Sequence, residues 1–96
     1  MEQSINEKAE KKKQLGNAEF KKQNYSAAIN YYTDAIEIQP HEAIYSNRAA
    51  SLIALKDFKR ALDDCQAAIR LNAEFAKIYK RLFRAHLGLG EVQEAK

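Results

Sequence analysis

The chain has 96 residues, of which 46% are hydrophobic and 30% are charged, a size that suits one small domain with a single core. Sixteen Lys and Arg against thirteen Asp and Glu give a net charge of +3, a mild basic excess that does not suit a nucleic-acid-binding tail. No apolar run reaches the roughly 18 residues of a membrane span. The polar first residues do not resemble a signal peptide, so we expect a protein of the cytoplasm, with the nucleus as an alternative location.

Helical patterns fill the chain, because three glycines, one proline and no tryptophan leave few turn formers. Ser4 and Glu7 have the spacing of a capping box and open a first helix that runs to about Lys22. The second helix stops before Pro40, which cannot continue the hydrogen-bond ladder. Asn72 is predicted to cap the fifth helix. The other predicted elements are helices at 25–38, 42–55 and 58–71, a corner at 88–90 that ends the fifth helix, and a sixth helix that begins at 91.

One unit repeats along the chain with a period of 33 or 34 residues. Shifting the sequence by 33 superimposes two apolar stripes with helical spacing: Tyr25, Ala28, Ile29, Tyr32, Ala35 and Ile36 fall on Phe58, Ala61, Leu62, Cys65, Ala68 and Ile69. A shift of 34 brings Tyr45 onto Tyr79. The sequence therefore predicts an all-α helix-turn-helix solenoid of about two and a half repeats, at about 9–41, 42–75 and 76–96.

The interior of this solenoid is expected to combine small and aromatic residues. Gly16, Ala28, Ala49 and Ala61 would let paired helices approach closely, while Tyr25, Tyr32, Phe58 and Tyr79 would fill the space between them. The third unit stops at Lys96, before most of its second helix. We therefore expect a segment of a longer chain, with frayed last residues and an exposed apolar edge available for self-association.

These positions resemble the tetratricopeptide repeat, whose pattern is W-x2-L-G-x2-Y, A-x3-F and P. The first copy has Leu15-Gly16, Ala28-x3-Tyr32, Ala35 and Pro40, and the second has Tyr45, Ala49, Leu52, Ala61 and Ala68, with Ala73 in the place of proline. Lys12 and Glu19 depart from the pattern at the Trp and Tyr places, with Phe20 beside the latter. The resemblance covers about Ala9 to Lys96, nearly the whole chain.

A subgroup of this family, the co-chaperones, carries a two-carboxylate clamp for the C-terminal aspartate of cytosolic heat-shock chaperones, whose tails end Glu-Glu-Val-Asp. The resemblance implies that the first helices of the repeats carry this clamp on the inner face of the solenoid. The five matching positions are Lys13, Asn17, Asn47, Lys77 and Arg81. The runs at 47–50 and 86–90 are similar to J-domain co-chaperones with these repeats, and the organising proteins that bridge two chaperone classes are nearly as close.

The residue types of the clamp suit a C-terminal aspartate. Its two carboxylates only accept hydrogen bonds, Lys and Arg supply charge-assisted donors, and Asn amides donate without adding repulsion between cations. Spacing of four residues puts each Lys on the same helix face as its partner, Asn17 or Arg81. Phe20, Ala50 and Ile53 share the inner face and are predicted to seat the apolar residues before the aspartate, although Phe20 could instead replace the missing core tyrosine.

Two other functions stay open at this stage: a scaffold that binds an internal segment of a partner, and, less well supported by so short an array, an RNA-binding helical repeat. No pair of acids or Ser-His arrangement predicts a catalytic site, and no cofactor is expected. Cys65 lies in an apolar stripe and is predicted to be a buried, inert thiol. His41 and His86 have no neighbours that would complete a metal site.

Overall fold

The computed structural model describes the backbone of residues 2–94 and the side chains of residues 6–91. Within these ranges it has no strand and contains the helices α1 (Glu2–Lys21), α2 (Tyr25–Ile38), α3 (Glu42–Ala54), α4 (Phe58–Leu71) and α5 (Ala76–Glu94). They form an elongated body measuring 51 × 29 × 17 Å. The predicted all-α architecture is confirmed, and the bounds of α2 and α4 are those that the apolar spacing predicted.

Consecutive helices pack side by side, and α3 also contacts both α1 and α5. Alanines fill the closest contacts between helices, since Ala28, Ala49 and Ala61 are completely buried, as predicted. Gly16 has the same role, because a Cβ atom there would lie 2.6 Å from Cε1 of Tyr32. Because α3 contacts both α1 and α5, it lies at the centre of the layer that these three helices form.

The turns that follow the C-terminal ends of α1 and α3 have the same backbone geometry. Gln23 and Lys56, which lie 33 residues apart, adopt the left-handed conformation with φ of 65° and 64°. The next amide, that of Asn24 or Asp57, donates to a carbonyl five residues back at 2.9 or 2.8 Å. These are Schellman turns, which satisfy the last carbonyls of each helix.

The predicted corner at residues 88–90 is wrong, and so is a sixth helix beginning at Glu91. Helix α5 continues to Glu94, and no described glycine has a positive φ. Gly88 is buried, and a Cβ atom there would overlap the ring of Phe58. Its missing side chain therefore serves the packing of α5 on α4, as Gly16 serves the packing of α1 on α2.

Three smaller predictions also need correction. Helix α1 begins at Glu2, two residues before the predicted cap at Ser4. Asn72 does not cap α5 directly: its Oδ1 accepts from the amide of Glu74 in the turn that precedes the helix. Tyr79 does not fill an interior space, because 45% of its surface is exposed and its hydroxyl donates to the carbonyl of Ala73.

Cys65 is completely buried in the core, as predicted. Burial, together with the nearby negative charge of Asp64, raises the pKa of its thiol to about 11. A thiol in this state is neutral at physiological pH and is a poor nucleophile.

None of the helices in the described part of the chain has the length and apolar character needed to cross a membrane. Across the same residues, no group of three or more His, Cys, Asp and Glu side chains is placed to hold a metal ion.

Candidate functional site

A hollow of about 200 Å³ lies where α1, α3 and α5 meet. It brings together five of the eight predicted site residues, two from α1, two from α3 and one from α5. Its lining consists of Asn17, Phe20, Lys21, Tyr32, Asn47, Ala50 and Arg81. These seven residues include two cations and two amides but no carboxylate, so the hollow favours a negatively charged ligand.

Two asparagines 30 residues apart in sequence are hydrogen-bonded in this hollow. Nδ2 of Asn47 donates to Oδ1 of Asn17 at 3.1 Å, and the hydroxyl of Tyr32 donates to the same oxygen at 2.6 Å. With its oxygen accepting both bonds, Asn17 keeps the two N–H groups of its amide for a ligand. The arrangement is therefore a set of oriented donors.

Tyr32 was predicted only as a core residue, and its contact with Asn17 was missed. Its ring is 1% exposed, and this burial raises the pKa of the phenol to about 12, so the hydroxyl stays protonated. A buried tyrosine hydroxyl needs a hydrogen-bond partner, and this was the signal available in the sequence. Lys21, which also lines the hollow, was not predicted.

Arg81 supplies the positive charge from α5. Its Nε atom is buried and has no hydrogen-bond partner among the described residues. An unpaired buried donor costs free energy, and the residue that carries it lines the hollow.

The other predicted residues lie around this hollow. Lys13 lines a neighbouring hollow of about 260 Å³, with Glu10 and His41 among its other lining residues. Lys77 is exposed on α5, one turn before Arg81, and is not part of the lining. Ile53 packs partly against the core and lines a further hollow of about 310 Å³ between the end of α3 and α5.

Lys13 has an acidic partner on its own helix. Its Nζ lies 3.0 Å from Oε1 of Glu10, and this hydrogen bond lowers the pKa of the Glu10 carboxyl. A ligand carboxylate must therefore share or replace Glu10 to reach the ammonium group.

An ion pair between the partly buried Arg48 and the buried Asp64 fixes α3 between its neighbours. Arg48, next to Asn47, donates two hydrogen bonds of 2.8 and 2.7 Å to the carboxylate of Asp64 on α4. A third, of 3.1 Å, goes to the hydroxyl of Thr33 on α2. The guanidinium thus joins three helices and sets the rotation of α3, the helix that carries Asn47.

Comparison with known proteins places the chain in a family. A sequence model of a protein family, described as tetratricopeptide repeat, matches residues 14–42. The first such domain of Spaghetti (RPAP3), solved bound to the HSP90 peptide SRMEEVD, superimposes with a TM-score of 0.86 and 36% identity, covering 93% of this chain and 71% of that one. The chain belongs to the tetratricopeptide repeat family.

Other known proteins are similar over most of this chain. Over 90 residues it is 43% identical to the Heat shock protein STI1 of Saccharomyces cerevisiae, covering 92% of this chain and 15% of that protein. The human DnaJ homolog subfamily C member 7 is 41% identical over 98% of this chain, which spans 19% of that relative. The TPR2B domain of yeast Sti1, solved as a pHsp70 complex, has a TM-score of 0.84 at 35% identity, covering 92% of this chain and 71% of that one.

Proposed function

We propose that this domain is a co-chaperone adaptor that binds the C-terminal Glu-Glu-Val-Asp tail of cytosolic heat-shock chaperones of the seventy- or ninety-kilodalton class. It acts by binding and without catalysis or a cofactor, in the cytoplasm. Residues 1–96 form one domain, with repeats at about 9–41, 42–75 and 76–96. Similar domains solved with an HSP90 peptide or as a pHsp70 complex support this function.

One observation carries the proposal: the lining of the hollow has no carboxylate and includes the hydrogen-bonded amides of Asn17 and Asn47 together with the cation Arg81. A C-terminal aspartate offers two carboxylates on one residue, so it can accept from several of these donors at once. Lys13 and Lys77, each one turn away from a lining residue, complete the clamp by moving long, flexible side chains toward the ligand.

Phe20 and Ala50 form the apolar part of the hollow, and Ile53 continues the same face of α3 by one turn. The valine before the terminal aspartate is of a size that these side chains can contact. We assign the three residues to the upstream part of the peptide, which an extended chain reaches after leaving the clamp.

The test compares the peptide Ile-Glu-Glu-Val-Asp with the same peptide carrying a C-terminal amide, by calorimetric titration of the purified chain. We expect micromolar affinity for the free acid, about 8 kcal/mol. Amidation should weaken binding about thirtyfold or more, because a charge-assisted contact is worth roughly 2 to 3 kcal/mol. Equal affinity for both peptides would overturn the clamp and favour a scaffold that binds an internal segment.

Substitutions identify the residues that hold the carboxylates. Arg81→Ala and Lys13→Ala should each reduce affinity about thirtyfold or more. Arg70→Ala is the matched control, because Arg70 is an exposed cation on α4 away from the hollow. A loss of affinity in the control equal to that in Arg81→Ala would mean that binding depends only on overall charge.

A further inference from the structure

Lys21 lies in the last turn of α1 and contributes a second cation to the hollow, in addition to Arg81. Its side chain is exposed, and it takes part in none of the ion pairs found among the described side chains. The positions three and four residues away on either side, where a helical ion pair would form, hold no acid: Asn17, Ala18, Asn24 and Tyr25. The ammonium group of Lys21 is therefore available to a ligand in the hollow.

Two other lysines of this region differ from Lys21, because each has an acidic partner close by in sequence. Nζ of Lys22 lies 3.7 Å from Oε2 of Glu19, and Nζ of Lys13 lies 3.0 Å from Oε1 of Glu10. Lys22 is exposed like Lys21 but does not line the hollow. Two adjacent lysines with the same charge and exposure thus differ in their surroundings.

The position of Lys21 relative to Asn17 indicates which part of a bound peptide it would meet. Lys21 follows Asn17 by four residues, so it lies on the same face of α1, about 6 Å closer to the C-terminal end of the helix. An extended peptide advances about 3.3 Å per residue, and side chains two residues apart point to the same side. A ligand whose C-terminal aspartate contacts Asn17 therefore brings the residue two positions earlier level with Lys21. In the Glu-Glu-Val-Asp tail this residue is a glutamate.

We propose that Lys21 is a specificity residue that binds an acidic side chain two positions before the C-terminus of the ligand. The inference rests on the proposed function, because contacts to the terminal carboxylates must first set the register of the peptide. Lys21 then favours tails with an acid at that position over tails with a neutral residue there. Because this ion pair would be exposed, its contribution is modest and falls with added salt.

A double-mutant cycle between protein and peptide tests the ion pair by calorimetric titration of the full chain. The peptides are Ile-Glu-Glu-Val-Asp and Ile-Glu-Gln-Val-Asp. We expect Lys21→Gln to weaken binding of the first peptide about two- to fivefold and to leave binding of the second unchanged. Lys22→Gln is the matched control, because it removes the same charge from the adjacent exposed residue, which lies outside the hollow. The control should leave the preference between the two peptides as it is in wild type.

Equal losses for both peptides in Lys21→Gln would overturn the proposal, and so would an equal loss of preference in Lys22→Gln. A third peptide, Ile-Gln-Glu-Val-Asp, tests the position in the ligand, and coupling of Lys21 to that glutamate instead would contradict the assigned register. The unfolding free energy is not a suitable readout, because a cation in the last turn of a helix also stabilises the helix dipole.

Peptides with a C-terminal amide separate this inference from the proposed function. If amidation weakens binding but Lys21 shows no coupling to either glutamate, the role of Lys21 is overturned and the clamp stands. If amidation has no effect, the proposed function is overturned, and the register on which the role of Lys21 depends is lost with it. Circular dichroism checks that both variants keep their helices.

Discussion

The hydroxyl of Tyr32 and the side-chain oxygen of Asn17 are joined by a hydrogen bond of 2.6 Å between α2 and α1. This bond orients the amide of Asn17, because the tyrosine hydroxyl donates and only the oxygen of the amide can accept. The orientation of Asn17, a residue of the proposed clamp, thus depends on a side chain from the second helix of its own repeat.

Tyr32→Phe should weaken binding of the acidic peptide about five- to tenfold. The ring and its packing remain, but Asn17 loses a bond worth about 1 kcal/mol and its amide is freer to turn its oxygen toward the ligand. Calorimetric titration measures the change. Tyr31→Phe is the control, because Tyr31 is the adjacent tyrosine and does not line the hollow. Equal losses in both variants would contradict this role of Tyr32.

Tyr32 should also make stability fall at high pH. Burial raises its pKa to about 12 from a reference value of 10, so the folded state holds this proton more tightly than the unfolded state. The resulting stability is complete below pH 10 and is lost as the pH rises from 10 through 12. Urea unfolding at several pH values should show wild type losing about 2 kcal/mol more than Tyr32→Phe over this interval. Cys65 titrates in both proteins, so its effect cancels, and parallel pH profiles would contradict the prediction.

Glu10→Gln should increase affinity for the acidic peptide about two- to fivefold at low salt. The change frees the ammonium of Lys13 from its partner at 3.0 Å, so the ligand no longer competes with Glu10. Added salt should remove the gain by screening these exposed charges. Glu7→Gln makes the same charge change at an exposed residue on the same helix. A gain of equal size in that control would assign the effect to net charge.

Asp64→Ala should reduce the free energy of unfolding by about 3 to 5 kcal/mol. The substitution leaves the guanidinium of Arg48, whose side chain is 18% exposed, without the carboxylate that holds it. Replacing both residues, as in Arg48→Met with Asp64→Leu, should cost less because no charge is left buried. Urea denaturation measures both effects. Asp63→Ala, at an exposed neighbour, should stay within about 0.5 kcal/mol of wild type.

The repeat period was sufficient to predict most of the fold. Residues that recur at 33 or 34 positions occupy equivalent environments, so the apolar stripe around Ala28 and Ala61 placed two helices correctly. Glycine at residues 88–90 was misread because composition does not distinguish a glycine that bends the backbone from one that admits a neighbouring ring. Only the contact with Phe58 makes that distinction.

The candidate site was only partly accessible from sequence. Spacing along single helices could group Asn17 with Phe20 and Asn47 with Ala50, and the hollow brings these four residues together. Tyr32 was not included because its position in the apolar stripe accounts for its ring and not for its hydroxyl. The ion pair of Lys13 was not predicted either, although Glu10 is the one acidic residue three or four positions from Lys13 and could have been identified from this spacing.

Gly16→Ala and Gly90→Ala should change stability in opposite directions, although both replace a glycine in a helix. Alanine normally gains about 1 kcal/mol over glycine there. At Gly16 the new methyl group meets the immobile ring of Tyr32, so we expect a net loss and weaker peptide binding. At Gly90 it meets nothing, so we expect the gain. Thermal unfolding at low protein concentration measures both, and a loss at Gly90 would indicate a bend in α5.

The matching turns after α1 and α3 mean that a gene duplication can add one whole repeat to the chain. Because Gln23 and Lys56 share one backbone conformation, the segment that follows either turn can be joined to the other without altering local geometry. Duplication of residues 24–56, one period of 33 residues, would add a helix pair in register. The added copy of α3 would bring a second asparagine and arginine to the layer of α1, α3 and α5. Insertions of other lengths would rotate the added helices out of the layer. The layer of α1, α3 and α5 can thus be extended only in whole repeats.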